Sequence, residues 1–125
     1  MKMDHLVLLL GDLQASLPYY DTLLPLLGFT RAPPHDYVNE DGLHIDLKQA
    51  GDPAHAYMRQ GVGLNHLGFT APDRAAIDHL RATMAAAGFP VPEVQHFGGD
   101  VAVFMKDRDG IRFEITAYAP ASTSS

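Results

Sequence analysis

The amino-acid sequence predicts an α+β fold built from one strand–helix–three-strand unit that occurs twice. Apolar runs rich in Val, Ile, Leu and Phe, typical of strands, alternate with two longer segments whose apolar residues recur every three or four positions, typical of helices. Residues of the same kind recur in the same order about 60 positions later. The closing stretch, residues 101–115, reads as two strands joined by a tight turn at Asp109-Gly110.

The first copy of the unit begins with an apolar strand over residues 5–10. A helix follows, because leucine and tyrosine recur at helical spacing. Pro18 is tolerated only near a helix start, so the helix is predicted to begin at about Ser16, a good N-cap, and to end at Gly28. Three short strands are then predicted over residues 29–32, 36–39 and 43–49.

The second copy repeats this order. A strand is predicted over residues 64–70, followed by a helix that Asp73 caps and Gly88 ends. Residues 89–94 read as an extended, proline-containing segment, and the closing pair of strands completes the unit.

The domain organisation follows from this repeat. Residues 1–118 are predicted to form one domain, made of module one (1–50), a linker (51–62) and module two (63–118). Residues 119–125 are small and polar, and we expect a disordered tail there.

The two copies correspond position by position, with small loop insertions. The equivalent positions are His5 and His66, 61 residues apart, Asp12 and Asp73, also 61 apart, the Gly-Phe pairs 28–29 and 88–89, 60 apart, and residues 42–47 and 110–115, 68 apart. The last of these alignments makes Asp46 the equivalent of Glu114. We infer a duplication, which places equivalent residues on equivalent strands.

Composition excludes several classes of protein. The net charge is −6 and only 9 residues are Lys or Arg, which argues against nucleic-acid binding. There is no cysteine, so any metal must use histidine and carboxylate ligands. No apolar run is long enough to span a bilayer, and the N-terminus does not read as a signal peptide, so we expect a cytoplasmic protein without membrane partners.

One acidic residue, Glu114, lies inside an apolar strand, where a carboxylate is costly unless it is paired or bound to a metal. If the two units curl their sheets into a shared cup, His5, His66, Asp46 and Glu114 can converge inside it. Two imidazoles with one or two carboxylates suit Fe(II), Mn(II), Zn(II), Ni(II) or Co(II). A three-ligand site would leave positions open for substrate, water or oxygen.

Several motifs resemble the vicinal oxygen chelate superfamily, which contains glyoxalases, extradiol dioxygenases and bleomycin-resistance proteins. They are residues 5–12, the helix end at 27–29, residues 65–69 and residues 106–114. The resemblance implies paired βαβββ modules forming a cupped, mostly antiparallel eight-stranded sheet with helices outside, in a homodimer. It also implies a divalent metal bound by His5, His66 and Glu114, with Asp46 at the fourth ligand position.

The sequence departs from the family pattern at two positions and leaves other readings open. Asp46 is one methylene shorter than the usual Glu, so it can act through water rather than as a direct ligand. Arg108 replaces a common proline, which should affect only the turn.

Glu114 could instead pair with Arg112, on the same strand face. His44 shares a face with Asp46, and it could be a general base, a substrate contact, a solvent-facing residue or a histidine whose hydrogen bonds are satisfied in the core. The remaining histidines receive no role.

The leading functional prediction is a metal-dependent enzyme for a small-molecule substrate, of the lyase, isomerase or ring-cleaving dioxygenase type. The metal would chelate two substrate oxygens. In a glyoxalase- or epimerase-like reaction, a catalytic carboxylate, Glu114 or Asp46, or a metal-bound hydroxide would move a proton adjacent to a carbonyl. No further organic cofactor is implied. The alternative is a metal-free protein that sequesters a ligand, like the bleomycin-resistance members, for which an acidic cleft would suit a cation.

Overall fold

The computed structural model describes residues 1–120 and confirms the α+β fold with its repeated unit. The elements are β1 (His5–Leu10), α1 (Leu13–Leu26), β2 (Thr30–Ala32), β3 (Asp36–Val38), β4 (His44–Gln49), β5 (Leu67–Thr70), α2 (Arg74–Ala86), β6 (Gln95–Phe97), β7 (Asp100–Lys106) and β8 (Arg112–Ala117). Within this part of the chain neither helix has the length and apolar character needed to cross a membrane.

The eight strands form two four-stranded sheets, in the orders β1-β4-β3-β2 and β5-β8-β7-β6. In each sheet the first and last strands of the unit pair in parallel, and the other two pairings are antiparallel. The hydrogen bonding is therefore not that of the single eight-stranded sheet expected from the resemblance. Each repeat carries four strands that are close in sequence, and such strands most often pair with one another.

The chain divides into two compact units. Unit 1 comprises residues 1–58 with 107–110, and unit 2 comprises residues 59–106 with those from Ile111 onward. In unit 1, α1 packs on β1 and β4, and in unit 2, α2 packs on β7 and β8. Side chains alternate along each strand, so one sheet face is buried under the helix. We call the opposite face the open face of each sheet.

The first helix starts earlier than the sequence predicts. α1 begins at Leu13, and its N-cap is Asp12, whose Oδ1 accepts a hydrogen bond from the Ala15 N–H at 3.0 Å. Gln49 Oε1 accepts a further bond from the Leu13 N–H at 3.0 Å. Ser16, predicted to be the cap, is instead buried inside the helix. These two acceptors satisfy free N–H groups of the first turn, which outweighs the bond that Pro18 removes.

The second copy differs from expectation in two strands and follows it elsewhere. Asp73 caps α2 as predicted, accepting from the Ala76 N–H at 2.9 Å. The sequence predicts that β5 begins at residue 64, but it begins at Leu67, because its pairing with β8 starts at that residue. The extended segment 89–94 forms no strand, because Pro90 and Pro92 have no N–H to donate to a ladder. The strand that the sequence did not predict, β6, follows this segment.

The predicted tail falls mostly outside the described residues, which exclude 121–125. Ala119, where the tail was predicted to begin, donates its N–H to Asp100 Oδ1 at 2.7 Å.

Candidate functional site

In unit 1, the strand register places two of the predicted ligands on the same open face. β1 and β4 pair so that His5 lies beside His44 and Val7 beside Asp46. Their neighbours Leu8, Leu10, Ile45 and Leu47 are buried on the helix side. Strand alternation therefore turns His5, His44 and Asp46 to the open face, as the sequence predicts for His44 and Asp46.

In unit 2, the other two predicted ligands also share an open face. Glu114 on β8 lies between Gly68 of β5 and Phe104 of β7. His66 directly precedes β5, and its ring meets that of Phe104 edge-on, with centroids 6.4 Å apart. A Cβ added at Gly68 would lie 3.7 Å from Glu114 Oε2, so the carboxylate extends over the glycine.

In both copies, the size of the carboxylate side chain is matched to the size of the residue beside it. In unit 1 the shorter acid, Asp46, lies beside Val7, and in unit 2 the longer acid, Glu114, lies beside Gly68. The bare glycine gives the glutamate room to lie along the open face. In both copies the carboxylate therefore lies beside the residue that comes two positions after the histidine, which is Val7 in unit 1 and Gly68 in unit 2.

Glu114 is half-buried and has no partner in the described part of the chain. Neither it nor Arg112 forms a hydrogen bond or ion pair there, so the structural pairing between them is absent from residues 1–120. Asp46 differs, since Lys48 Nζ lies 3.7 Å from its Oδ2 and its side chain is 34% exposed. A carboxylate held half-buried without a partner is costly unless a ligand or a cation pairs with it.

The two histidines are anchored in the same way. His5 Nδ1 lies 2.7 Å from Asp4 Oδ2, and His66 Nδ1 lies 2.7 Å from Asn65 Oδ1. The hydrogen bond from His5 lowers the pKa of the Asp4 carboxyl. In both pairs the remaining ring nitrogen, Nε2, is left to bind a ligand. Metal-bound histidines characteristically donate their other ring N–H to a carboxylate or carbonyl oxygen in this way.

A third histidine, His44, has a similar anchor. Its Nδ1 lies 2.7 Å from Asp36 Oδ2, and both side chains are partly buried. A cavity of about 650 Å³ lies at this surface of unit 1, and Asp4, His5, His35, Asp36, His44 and Asp46 are among its lining residues. His44 therefore lines the cavity and is held by a carboxylate.

No metal cluster is formed by side chains within either unit. Among residues 1–120, no group of three or more His, Asp or Glu side chains could hold a metal ion. The four predicted ligands are divided two and two, with His5 and Asp46 in unit 1 and His66 and Glu114 in unit 2. The metal assignment remains a prediction.

Sequence reasoning missed the three side chains that anchor these imidazoles. They are Asp4, Asp36 and Asn65. A signal for two of them exists, because Asp4 and Asn65 are 61 residues apart, the same spacing as His5 and His66. No such spacing marks Asp36, whose contact depends on the β3–β4 register.

Comparison with known proteins gives consistent matches. Residues 2–115 match the Glyoxalase/Bleomycin resistance protein/Dioxygenase superfamily. The uncharacterized protein YqjT of Bacillus subtilis (strain 168) is 31% identical over 125 residues, which cover 92% of this chain and 98% of that protein.

Solved structures show the same fold along the chain. A candidate glyoxalase from Bacillus halodurans is similar with a TM-score of 0.78 and 25% identity, covering 93% of this chain and 95% of the other. A glyoxylase/bleomycin resistance protein/dioxygenase domain from a Frankia species gives a TM-score of 0.77 at 22% identity, covering 95% and 98% of the two chains. The chain belongs to the glyoxalase/bleomycin resistance protein/dioxygenase superfamily.

Proposed function

We propose that this protein is a metal-dependent enzyme for a small-molecule substrate, with a divalent cation held by His5, His66 and Glu114. The observation that carries the proposal is Glu114, a half-buried carboxylate without a partner among residues 1–120, on the same open face as His66. Its equivalent in unit 1, Asp46, shares a face with the other anchored histidine, His5.

The donor set suits a first-row divalent cation. Two imidazole nitrogens and a carboxylate, without thiolate, fit Fe(II), Mn(II), Zn(II), Ni(II) or Co(II). A bound cation would supply Lewis acidity to two oxygens of the substrate and stabilise negative charge that develops on them. The substrate class is therefore one with two neighbouring oxygen donors.

The two carboxylates take different roles in this proposal. Glu114 extends over Gly68 and is free to ligate. Asp46 has the shorter side chain, is 34% exposed and already lies 3.7 Å from Lys48 Nζ. We assign Asp46 to proton transfer with the substrate or to holding a water molecule, rather than to direct ligation.

His5 and Asp46 lie in unit 1, and His66 and Glu114 lie in unit 2. We propose a homodimer as the working assembly, in line with the apolar side chains of Val7 and Leu9, which are 43% and 58% exposed on the open face. Light scattering on purified protein should give the mass of a dimer. A monomeric mass would overturn this part of the proposal.

A second function is favoured by the cavity of unit 1. Asp4, Asp36 and Asp46 line it, and in the described chain Asp36 Oδ1 is buried without a hydrogen-bond partner. Acceptors of this kind suit a cationic or donor-rich ligand. A metal-free binding protein would use this cavity to sequester such a ligand.

Metal analysis of protein purified without an affinity tag separates the two functions. The enzyme proposal expects a stoichiometric divalent metal, and a thermal stabilisation by added Zn(II) or Co(II) that a chelator reverses. A ligand at 100 times its Kd stabilises the folded state by about 2.7 kcal/mol. His66→Ala should abolish both effects, whereas His79→Ala, on α2, should retain them. Absence of both the metal and the shift in the wild-type protein would favour the sequestering function.

A further inference from the structure

We propose that Asp4 and Asn65 are positioning residues that set the tautomers of His5 and His66, so that Nε2 of each ring carries the lone pair. This inference rests on the proposed function, since it concerns the two histidines assigned to the metal. Neither residue is itself a ligand. Each acts through the ring that follows it in the chain.

The direction of both hydrogen bonds is fixed by chemistry. An ionised carboxylate only accepts, so His5 Nδ1 must be the donor in its 2.7 Å contact with Asp4 Oδ2. The Asn65 amide is oriented by a second bond, in which its Nδ2 donates to the Arg59 carbonyl at 3.0 Å. That bond directs Oδ1, also only an acceptor, toward His66 Nδ1 at 2.7 Å.

Adjacency in sequence does not by itself produce this contact. Asp78-His79 is another pair of an acid followed by histidine, but Asp78 Oδ1 accepts from Arg74 Nε at 3.0 Å instead. The anchored pairs occur at the two equivalent positions of the repeat, where the first strand of each unit starts: His5 is the first residue of β1, and His66 directly precedes β5. The same arrangement at both positions indicates a role tied to the histidines rather than to local chain geometry.

The consequence is a pair of rings prepared to bind through Nε2. In neutral imidazole one nitrogen is protonated and the other carries the lone pair, and the partner of the first determines which is which. Without a partner at Nδ1, a ring can present the wrong nitrogen and rotate freely. Losing the hydrogen-bond partner of a metal-bound histidine typically weakens metal binding about 10- to 100-fold.

Two kinds of substitution distinguish the effect of the hydrogen bond from the effects of side-chain charge and size. Asp4→Asn and Asn65→Asp retain an oxygen acceptor, whereas Asp4→Leu and Asn65→Leu remove it at similar volume. Asp78→Leu is the matched control, because it removes an acidic neighbour of a histidine that is not anchored by it.

The first experiment reads the tautomers in the metal-free protein. Long-range ¹H–¹⁵N correlation spectra of histidine-labelled protein should be recorded at about pH 8.5, well above the usual histidine pKa. His5 and His66 should be protonated at Nδ1. In Asn65→Leu the His66 pattern should shift toward Nε2 protonation while His5 is unchanged, and Asp4→Leu should do the reverse. Asp78→Leu should alter neither ring.

The second experiment measures Zn(II) affinity by competition with a chromophoric chelator. The two leucine variants should bind about 10- to 100-fold more weakly than wild type, and the acceptor-retaining variants and Asp78→Leu should bind like wild type. Nε2-protonated rings in the wild-type protein, or leucine variants with wild-type affinity, would overturn the positioning role. Nδ1-protonated rings in a protein that binds no metal would instead overturn the proposed function.

Discussion

In the proposed metal site, Glu114 is the residue at which stability and function are expected to oppose one another. Glu114 is half-buried without a partner among residues 1–120, so we expect its charge to lower the stability of the metal-free protein and a bound cation to offset that cost. Residues that serve a binding site commonly carry such a cost.

Glu114→Gln should therefore change stability and metal binding in opposite directions. Removing the charge at nearly constant shape should raise the free energy of unfolding of the metal-free protein by about 0.5–2 kcal/mol. The same variant should lose Zn(II) binding. Urea denaturation with a chelator present measures the first effect, and titration measures the second. Glu93→Gln is the control, since its side chain is 95% exposed and the change should be small.

A loss of stability in Glu114→Gln would contradict this interpretation. It would show that the carboxylate stabilises the fold, as expected if it paired with Arg112. Retained Zn(II) affinity in the same variant would remove Glu114 from the set of ligands.

The identity of the candidate residues could be predicted from the sequence, but their hydrogen-bond partners could not. His66 and Glu114 follow from the repeat and from strand alternation, which depend on backbone periodicity alone. The contacts of Asp36 with His44 and of Asn65 with His66 depend on register and on side-chain torsions. Periodicity carries no information on those torsions.

At the scale of the elements, α1 shows which local signal prevails at a helix start. The proline preference pointed to Ser16, whereas the side chain that caps the helix is Asp12. Its repeat equivalent, Asp73, was identified as a cap from the sequence. The 61-residue spacing between Asp12 and Asp73 therefore indicates the correct start of α1, whereas the position of Pro18 points to a later one.

Three alanine variants test this helix start. Asp12→Ala should lower the free energy of unfolding by about 0.5–2 kcal/mol, and Asp73→Ala by a similar amount. Ser16→Ala should be neutral or stabilising, because its hydroxyl is buried without a hydrogen-bond partner in the described chain. Thermal or urea denaturation measures all three. A cost for Ser16→Ala as large as that for Asp12→Ala would return the cap to Ser16.

The turn between β7 and β8 is tied to α1 within unit 1. Tyr20 donates its hydroxyl to Asp107 Oδ2 at 2.6 Å, and the Asp109 N–H donates to Asp107 Oδ1 at 3.0 Å. Asp109 Oδ2 in turn accepts from the Gly11 N–H at 3.0 Å. These bonds hold the Asp-Gly turn that was predicted from the sequence. The bonds to Tyr20 and Gly11 join residues that are distant in the chain, which no local pattern indicates.

Tyr20→Phe should destabilise the protein and alter its response to alkali. Loss of the bond to the buried Asp107 should cost about 1–3 kcal/mol at neutral pH.

The pH dependence of stability follows from the pKa of Tyr20, which burial and then the charge of Asp107 raise in the folded protein. As pH rises, the unfolded chain loses the Tyr20 proton before the folded protein does, and so it binds fewer protons than the folded protein. Stability should therefore fall as pH rises above about 10, and less steeply in Tyr20→Phe. Urea denaturation at pH 8 and 10.5 measures both effects, with the exposed Tyr118→Phe as control. Equal pH dependence in wild type and Tyr20→Phe would contradict the assignment.

At the scale of the whole molecule, duplication explains why the two units carry equivalent histidines and carboxylates. Each unit pairs its first strand in parallel with its last and turns the equivalent histidine and carboxylate of the repeat to an open face. The order of elements and the fold class could be predicted, because both follow from a pattern repeated along the chain. The division into two four-stranded sheets could not, since periodicity specifies the face of a strand but not its neighbours.

The most direct test of the metal assignment is anomalous diffraction from crystals of the protein grown with Co(II), measured on both sides of the cobalt absorption edge. We expect one strong anomalous peak within bonding distance of His5 Nε2, His66 Nε2 and a Glu114 carboxylate oxygen. A peak bound to other side chains, or no peak at these three residues in cobalt-saturated crystals, would contradict the proposal that they form a metal site.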